Sequence, residues 1–177
     1  MNKKSFLRFG LTLGVLLFSI FPLRAEEPLP DMLLDTHYRT SDCEAMETIK
    51  GPKPIIAVLS NVARLYALPC TSSSHDDVTF RVYLFETGEI GGIRPLLFSL
   101  YTPKLGWVGT DILRGVKLNV ETGEIIHKTL SRWGGACGTY GRWKWNDFTV
   151  KMLEFSYRKS CATGKNVKDW IQTYSAN

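Results

Sequence analysis

The residues best able to do chemistry in this chain are its three histidines, its four cysteines and a few clustered carboxylates. His75-Asp76-Asp77 is the densest set: an imidazole beside two carboxylates can act as a base or hold a metal. It lies in the Ser- and Thr-rich segment from Thr71 to Thr79, where a solvated loop is the ordinary explanation. His37 and His127 stand far from it in sequence. Ser60 and the other serines lack the Gly-flanked elbow of a hydrolase nucleophile. Glu86, Glu89, Glu121 and Glu124 flank two Thr-Gly pairs, but their spacing matches no recognised calcium loop. The expectation is therefore no catalytic set, no metal and no cofactor. A hydrolase built on His75, Asp76 and Asp77 is the alternative.

The cysteines, Cys43, Cys70, Cys137 and Cys161, contain no Cys-x-x-Cys and no close Cys/His pair, which argues against zinc. An even number in an exported chain reads as two disulfides. Of the three possible pairings, the local one is favoured: Cys43 with Cys70, and Cys137 with Cys161.

Export is read from the first 25 residues. Lys3, Lys4 and Arg8 precede an apolar run from Gly10 to Phe21, and Leu23 and Ala25 occupy the positions a signal peptidase reads. The run is shorter than the roughly 20 residues that span a bilayer, so a cleaved signal peptide over 1–25 is preferred to an anchor. The protein is then periplasmic and not membrane-spanning after cleavage. The chain holds 22 basic and 17 acidic residues; four of the basic ones lie in the leader, leaving 18 against 17. Lys144, Lys151, Arg158 and Lys159 are a modest patch that a solvated strand face explains. Nucleic-acid binding, which needs a concentrated basic footprint, is not expected.

Residues 26–53 are polar and acidic, punctuated by Pro28, Pro30 and Pro52, with Pro54 just beyond. They read as an extended arm with one short helix around Asp42 to Lys50, tied down by Cys43. From residue 54 to 177 the apolar runs are short and β-branched, with turn signals between them. Phe85-Glu86-Thr87-Gly88-Glu89-Ile90 returns as Val120-Glu121-Thr122-Gly123-Glu124-Ile125, each copy between strand-like runs. Turn chemistry explains both copies. A third hairpin joins Thr139–Trp145 to Phe148–Tyr157. A two-residue Asn146-Asp147 turn would set Trp143 opposite Val150 and Gly141 opposite Met152. Trp143 and Trp145 would then face a core, and Arg142, Lys144, Thr149 and Lys151 would face water. Beyond Met152 the apolar residues change parity, which a β-bulge or a strand changing sheets would explain. Val167, Trp170, Ile171 and Tyr174 form a tail expected to dock as a strand or a helical turn. The predicted fold is an all-β antiparallel meander, a partial barrel or sandwich with two disulfides.

Arg132-Trp133-Gly134-Gly135-Ala136-Cys137-Gly138, then Gly141-Arg142-Trp143-Lys144-Trp145 and Phe148, then Cys161, Gly164, Trp170, Tyr174 and Ala176 form an ordered set. It resembles the end of the bacterial "domain of unknown function 1176" family. Leu68-Pro69-Cys70 is similar to that family's upstream cysteine motif, and Asn119 to Leu130 to the stretch before its Gly-rich segment. The resemblance implies an envelope protein of a Gram-negative bacterium with a signal peptide; it implies no reaction. The chain departs from the family pattern at Thr71 to Asp76, and typical members are about twice as long.

What remains is binding. Trp107, Trp133, Tyr140, Trp143, Trp145 and Trp170 are many large aromatics for a chain of this size. Trp107, in Pro103-Lys104-Leu105-Gly106-Trp107, and Trp133, between Arg132 and two glycines, read as loop aromatics. Beside a cation and glycines they suit a sugar or protein contact, or the capping of a barrel end. Arg132, Trp133, Trp107 and Tyr140 are therefore the candidate binding residues of a non-catalytic binding or interaction module. Its partner would be an envelope protein or a glycan, with inhibition of a cell-wall hydrolase as one form of that role.

Overall fold

The computed structural model describes residues 28–39, 42–49, 52–72, 78–88, 91–130, 137–146, 149–158 and 170–176. The leader, His75 to Asp77, Arg132, Trp133, Cys161 and Val167 lie outside them.

The described strands pair antiparallel throughout and form two sheets and a hairpin rather than a closed barrel. The first sheet is a meander of β1 (Ile55–Val58), β2 (Ala63–Ser72), β3 (Val78–Glu86) and β4 (Gly92–Pro95), with β7 (Ile112–Arg114) also pairing with β3. The second runs, in spatial order, β12 (Ile171–Ser175), β11 (Val150–Arg158), β10 (Gly138–Trp145), β9 (Glu124–Leu130) and β8 (Val116–Asn119). Between them in sequence, β5 (Phe98–Thr102) and β6 (Gly106–Thr110) make the separate hairpin. Leu65, Ala67, Phe80, Val82 and Leu84 of the first sheet share one core with Ile125, Trp143, Trp145 and Phe155 of the second. This is a sandwich: two inner faces interdigitate and remove their apolar surface from water.

The chain passes from the first sheet to the second at Arg114-Gly115-Val116. Gly115 has φ of +56°, and a Cβ there would stand 2.1 Å from the Lys128 carbonyl oxygen. Only glycine fits both the backbone conformation and that approach. His127 pins the same corner. Its Nδ1 donates to the Arg114 carbonyl at 2.6 Å, and its Nε2 meets the Thr139 hydroxyl at 2.8 Å.

Both Thr-Gly repeats lie at hairpin turns, as expected. The second copy joins β8 to β9, where the Asn119 side chain accepts from the Glu121 and Thr122 amides. The first follows β3 and leads to β4, with Glu86 opposite Gly92.

Two local expectations are corrected. The third hairpin closes through a four-residue turn, in which the Asn146 amide donates to the Thr149 carbonyl and the Asn146 side chain accepts from the Thr149 amide. That moves the register by two. Trp145 faces Val150 and Trp143 faces Met152, while Gly141 faces Phe155 after a bulge that leaves Leu153 unpaired. The bulge turns Phe155 and Tyr157 onto the core side and accounts for the change of parity. Second, the N-terminal segment is not a plain extended arm with a helix at Asp42. Its helix is α1, Asp31–Arg39, and only a 3-10 turn, Met46–Thr48, follows. Pro30 starts α1, because its carbonyl takes the Leu33 and Leu34 amides. The Cys43–Cys70 disulfide is present as expected, and it is the one with both members among the described residues. Cys137 is also disulfide-bonded.

α1 lies on the outer face of the first sheet, where Leu33 packs with Tyr66, Leu68 and Tyr83 in a second apolar cluster. That sheet is therefore buried on both faces. On the second sheet Trp143, Trp145 and Phe155 line the inner face, while on the outer face Lys144 and Lys151 are exposed and Ser156 and Arg158 are buried. The tail docks as a strand, β12, beside β11.

Candidate functional site

The β5–β6 hairpin is rooted by Phe98, which is buried edge-on against Trp143 with ring centroids 5.2 Å apart. Further out, Tyr101 and Trp107 stand opposite each other in the hairpin register. Their rings are 5.5 Å apart, and each also meets β11: Tyr101 lies 5.1 Å from Tyr157, and Trp107 lies 5.4 Å from Phe155. β12 extends this surface, because Tyr174 is paired with Phe155 and Ile171 with Tyr157, and cross-strand partners share a face. The result is an aromatic shelf at the sandwich edge. Trp107 is 45% exposed, Ile171 46% and Tyr174 39%. Packed aromatics that keep ring area in water, held by neighbouring rings, are pre-organised for contact. None of Tyr101, Trp107, Tyr157, Ile171 and Tyr174 carries a charge.

Trp107 belongs to strand β6, not to a loop. Tyr140 is placed elsewhere. It sits opposite Ser156 and Lys128 on the face of β10 that alternates away from Trp143, so it does not share the shelf. Arg132 and Trp133 lie outside the described residues. Tyr101, Tyr157, Ile171 and Tyr174 were not among the candidate binding residues. Each is an ordinary strand residue by local sequence, and only long-range packing gathers them.

The two described histidines are buried and bonded at both ring nitrogens. His127 joins the Arg114 carbonyl to a Thr139–Thr129 hydroxyl pair, in which the two oxygens are 2.8 Å apart. His37 lies between the Tyr83 hydroxyl, 2.9 Å from Nδ1, and the Pro69 carbonyl, 3.0 Å from Nε2. Burial lowers the pKa of each below its ordinary 6.5. Of the turn glutamates, Glu86 pairs with Arg94 at 2.9 Å, and Glu124 lies 4.0 Å from Arg142 in the other sheet. Among the described residues no group of three or more His, Cys, Asp or Glu gathers as a metal site. No helix among them is long and apolar enough to cross a membrane.

No family model matches the chain, and no match is found among curated proteins or solved structures.

Proposed function

We propose that the protein is a non-catalytic binding module of the bacterial envelope, exported by residues 1–25, with the Tyr101–Trp107–Tyr157–Tyr174 shelf as its contact surface. The single observation that carries this reading is the large, uncharged aromatic surface held half in water at the sandwich edge. Trp and Tyr dominate contact energies wherever rigid rings meet a partner. Uncharged ring faces suit an uncharged ligand whose C–H surfaces can stack on them. A neutral envelope glycan is the ligand that chemistry favours, and a protein surface is the second candidate. The resemblance quoted above supports the compartment. With Cys43 and Cys70 joined, Cys161 is the cysteine left to partner Cys137, and we assign that pair as the second crosslink.

The test is equilibrium binding of N-acetylglucosamine oligosaccharides, followed by tryptophan fluorescence. Trp107→Ala and Tyr174→Ala should each weaken binding at least tenfold, and Tyr140→Ala should leave it unchanged. Equal losses at Tyr140 would remove the shelf from the argument. No binding in the unmodified protein would remove the glycan. A photo-crosslinking residue at position 107 that then captures an envelope protein would keep the shelf and change its ligand.

A further inference from the structure

His37 closes a clasp. α1 covers Tyr66, Leu68 and Tyr83 with two buried side chains four residues apart, Leu33 and His37, both at 0% exposure. Leu33 contributes apolar contact, and His37 contributes the polar connection to the sheet. The Pro69 carbonyl can only accept, so Nε2 carries the ring proton. Nδ1 of the neutral ring then accepts from the Tyr83 hydroxyl. Every polar group of the clasp is satisfied in this one protonation state.

A second proton would sit on Nδ1, facing the phenol oxygen that now donates to it. The phenol would have to turn its hydrogen away, and a full charge would stand in an apolar pocket. Among the described residues, the charged groups around it do not favour that charge. On β3, Arg81 repels it, and Arg81 is itself paired with Asp111. On β2 the nearest bonded group is a carbonyl, with Arg64 further along the same face. On α1 the Asp35 carboxylate is already engaged by Arg39 at 2.6 Å, in water. At the sheet edge Glu86 is engaged by Arg94. Tyr38 adds a neutral ring 5.4 Å from the imidazole.

Beside the clasp is a covalent tether. Cys43 is bonded to Cys70, the residue after Pro69, and the Glu44 amide donates to the Cys70 carbonyl at 2.7 Å. Loss of the His37 bonds would therefore free α1 without letting the segment leave.

We propose that α1 is an acid-released, disulfide-tethered cover over a second apolar surface, formed by Tyr66, Leu68 and Tyr83. Protonation of His37 lifts the helix, exposes that surface, and leaves the sandwich beneath intact. The surface is separate from the aromatic shelf, so the inference stands whether or not the shelf binds glycan.

Hydrogen exchange of the intact, oxidised protein from pH 7.5 to 4.5, corrected for intrinsic rates, tests it. Amides of residues 31–39 should lose at least tenfold protection as the pH falls, while those of β9 to β11 keep theirs. Binding of an apolar dye should rise over the same range and reverse on return to pH 7.5. His37→Gln, which can still bond at two ends but does not titrate, should abolish the pH dependence of both readouts. If that variant does not fold, the imidazole C–H resonance of His37 in the unmodified protein gives the same answer. It should titrate together with the loss of α1 protection. Unchanged α1 protection down to pH 4.5 would overturn the proposal. So would β9 to β11 opening together with α1, or a pH dependence that survives His37→Gln.

Discussion

The outer faces of the two sheets are covered in opposite ways. On the first sheet α1 packs over Tyr66, Leu68 and Tyr83, and both faces are dry. On the second sheet the outer face meets water through Lys144 and Lys151, and its free apolar surface is the shelf at the edge. A sheet that supplies its own cover has its surface occupied until the cover moves. Among the described residues no helix packs over the Lys144 and Lys151 part of the second sheet, and that part stays open to water. The same chain thus holds one apolar surface under a helix and another open to water at the sheet edge, and whether the two behave independently is open to experiment.

The largest effect should come from the shared core. Trp143→Ala removes the side chain that meets Phe98, Phe155 and His127, and should cost about 3–5 kcal/mol. Denaturant midpoints should show one cooperative transition for both sheets. A variant that unfolds the second sheet while the first stays folded would show that the core does not join them.

Cys43→Ser with Cys70→Ser should come next. Cutting a crosslink that spans 27 residues should cost about 3 kcal/mol in an oxidising buffer. If the cover is its own unit, exchange protection of α1 falls further than that of β10 and β11. Equal losses everywhere would make α1 part of the main cooperative fold.

Gly141→Ala addresses the second sheet alone. The Trp143 ring lies over Gly141, so an added Cβ would stand 2.2 Å from it. Overpacking of this kind should cost about 1–3 kcal/mol, with α1 protection retained at neutral pH. A neutral outcome, read from the denaturant midpoint, would mean the indole can shift.

Much of the second sheet was legible from sequence, because Trp143 and Trp145 alternate with Arg142 and Lys144, the signature of one dry and one wet face. The hairpin length was not, since Asn146 closes a four-residue turn through its own side chain where a two-residue pair also reads well. α1 escaped for a physical reason. Its buried face is one leucine and one histidine, and a helix held by so few residues shows no apolar period. Trp107 was visible as a candidate, but the other shelf residues reach it from β5, β11 and β12, and no local pattern records that meeting.

Acidification should weaken the protein as a whole by a smaller amount. Both buried histidines hold their folded pKa below 6.5, so on lowering the pH the unfolded chain takes up protons first. Stability should be level above about pH 7.5, and fall as pH drops through 6.5 toward the folded values. His127→Gln should remove part of that slope from global unfolding. His37→Gln should remove it chiefly from local opening of α1. Interchanged effects, in urea titrations and hydrogen exchange run at each pH, would merge the two surfaces into one system.

The smallest effect should lie on the wet face. Lys144 stands directly across from Lys151 on one side and from Glu124 on the other. Like charges opposite one another on a sheet are mildly unfavourable, and opposite charges mildly favourable, by about 0.2–1 kcal/mol. Lys151→Glu should therefore stabilise the protein by a few tenths of a kcal/mol, and added salt should erase the gain by screening it. The sign carries the information. If another segment covered this face as α1 covers the first sheet, a carboxylate placed beneath it would lose its water and cost several kcal/mol in place of the small gain. A salt-sensitive rise in the denaturant midpoint of Lys151→Glu would show that the Lys144 and Lys151 part of this face is open to water. A loss of more than about 1 kcal/mol would show that the two sheets are covered alike.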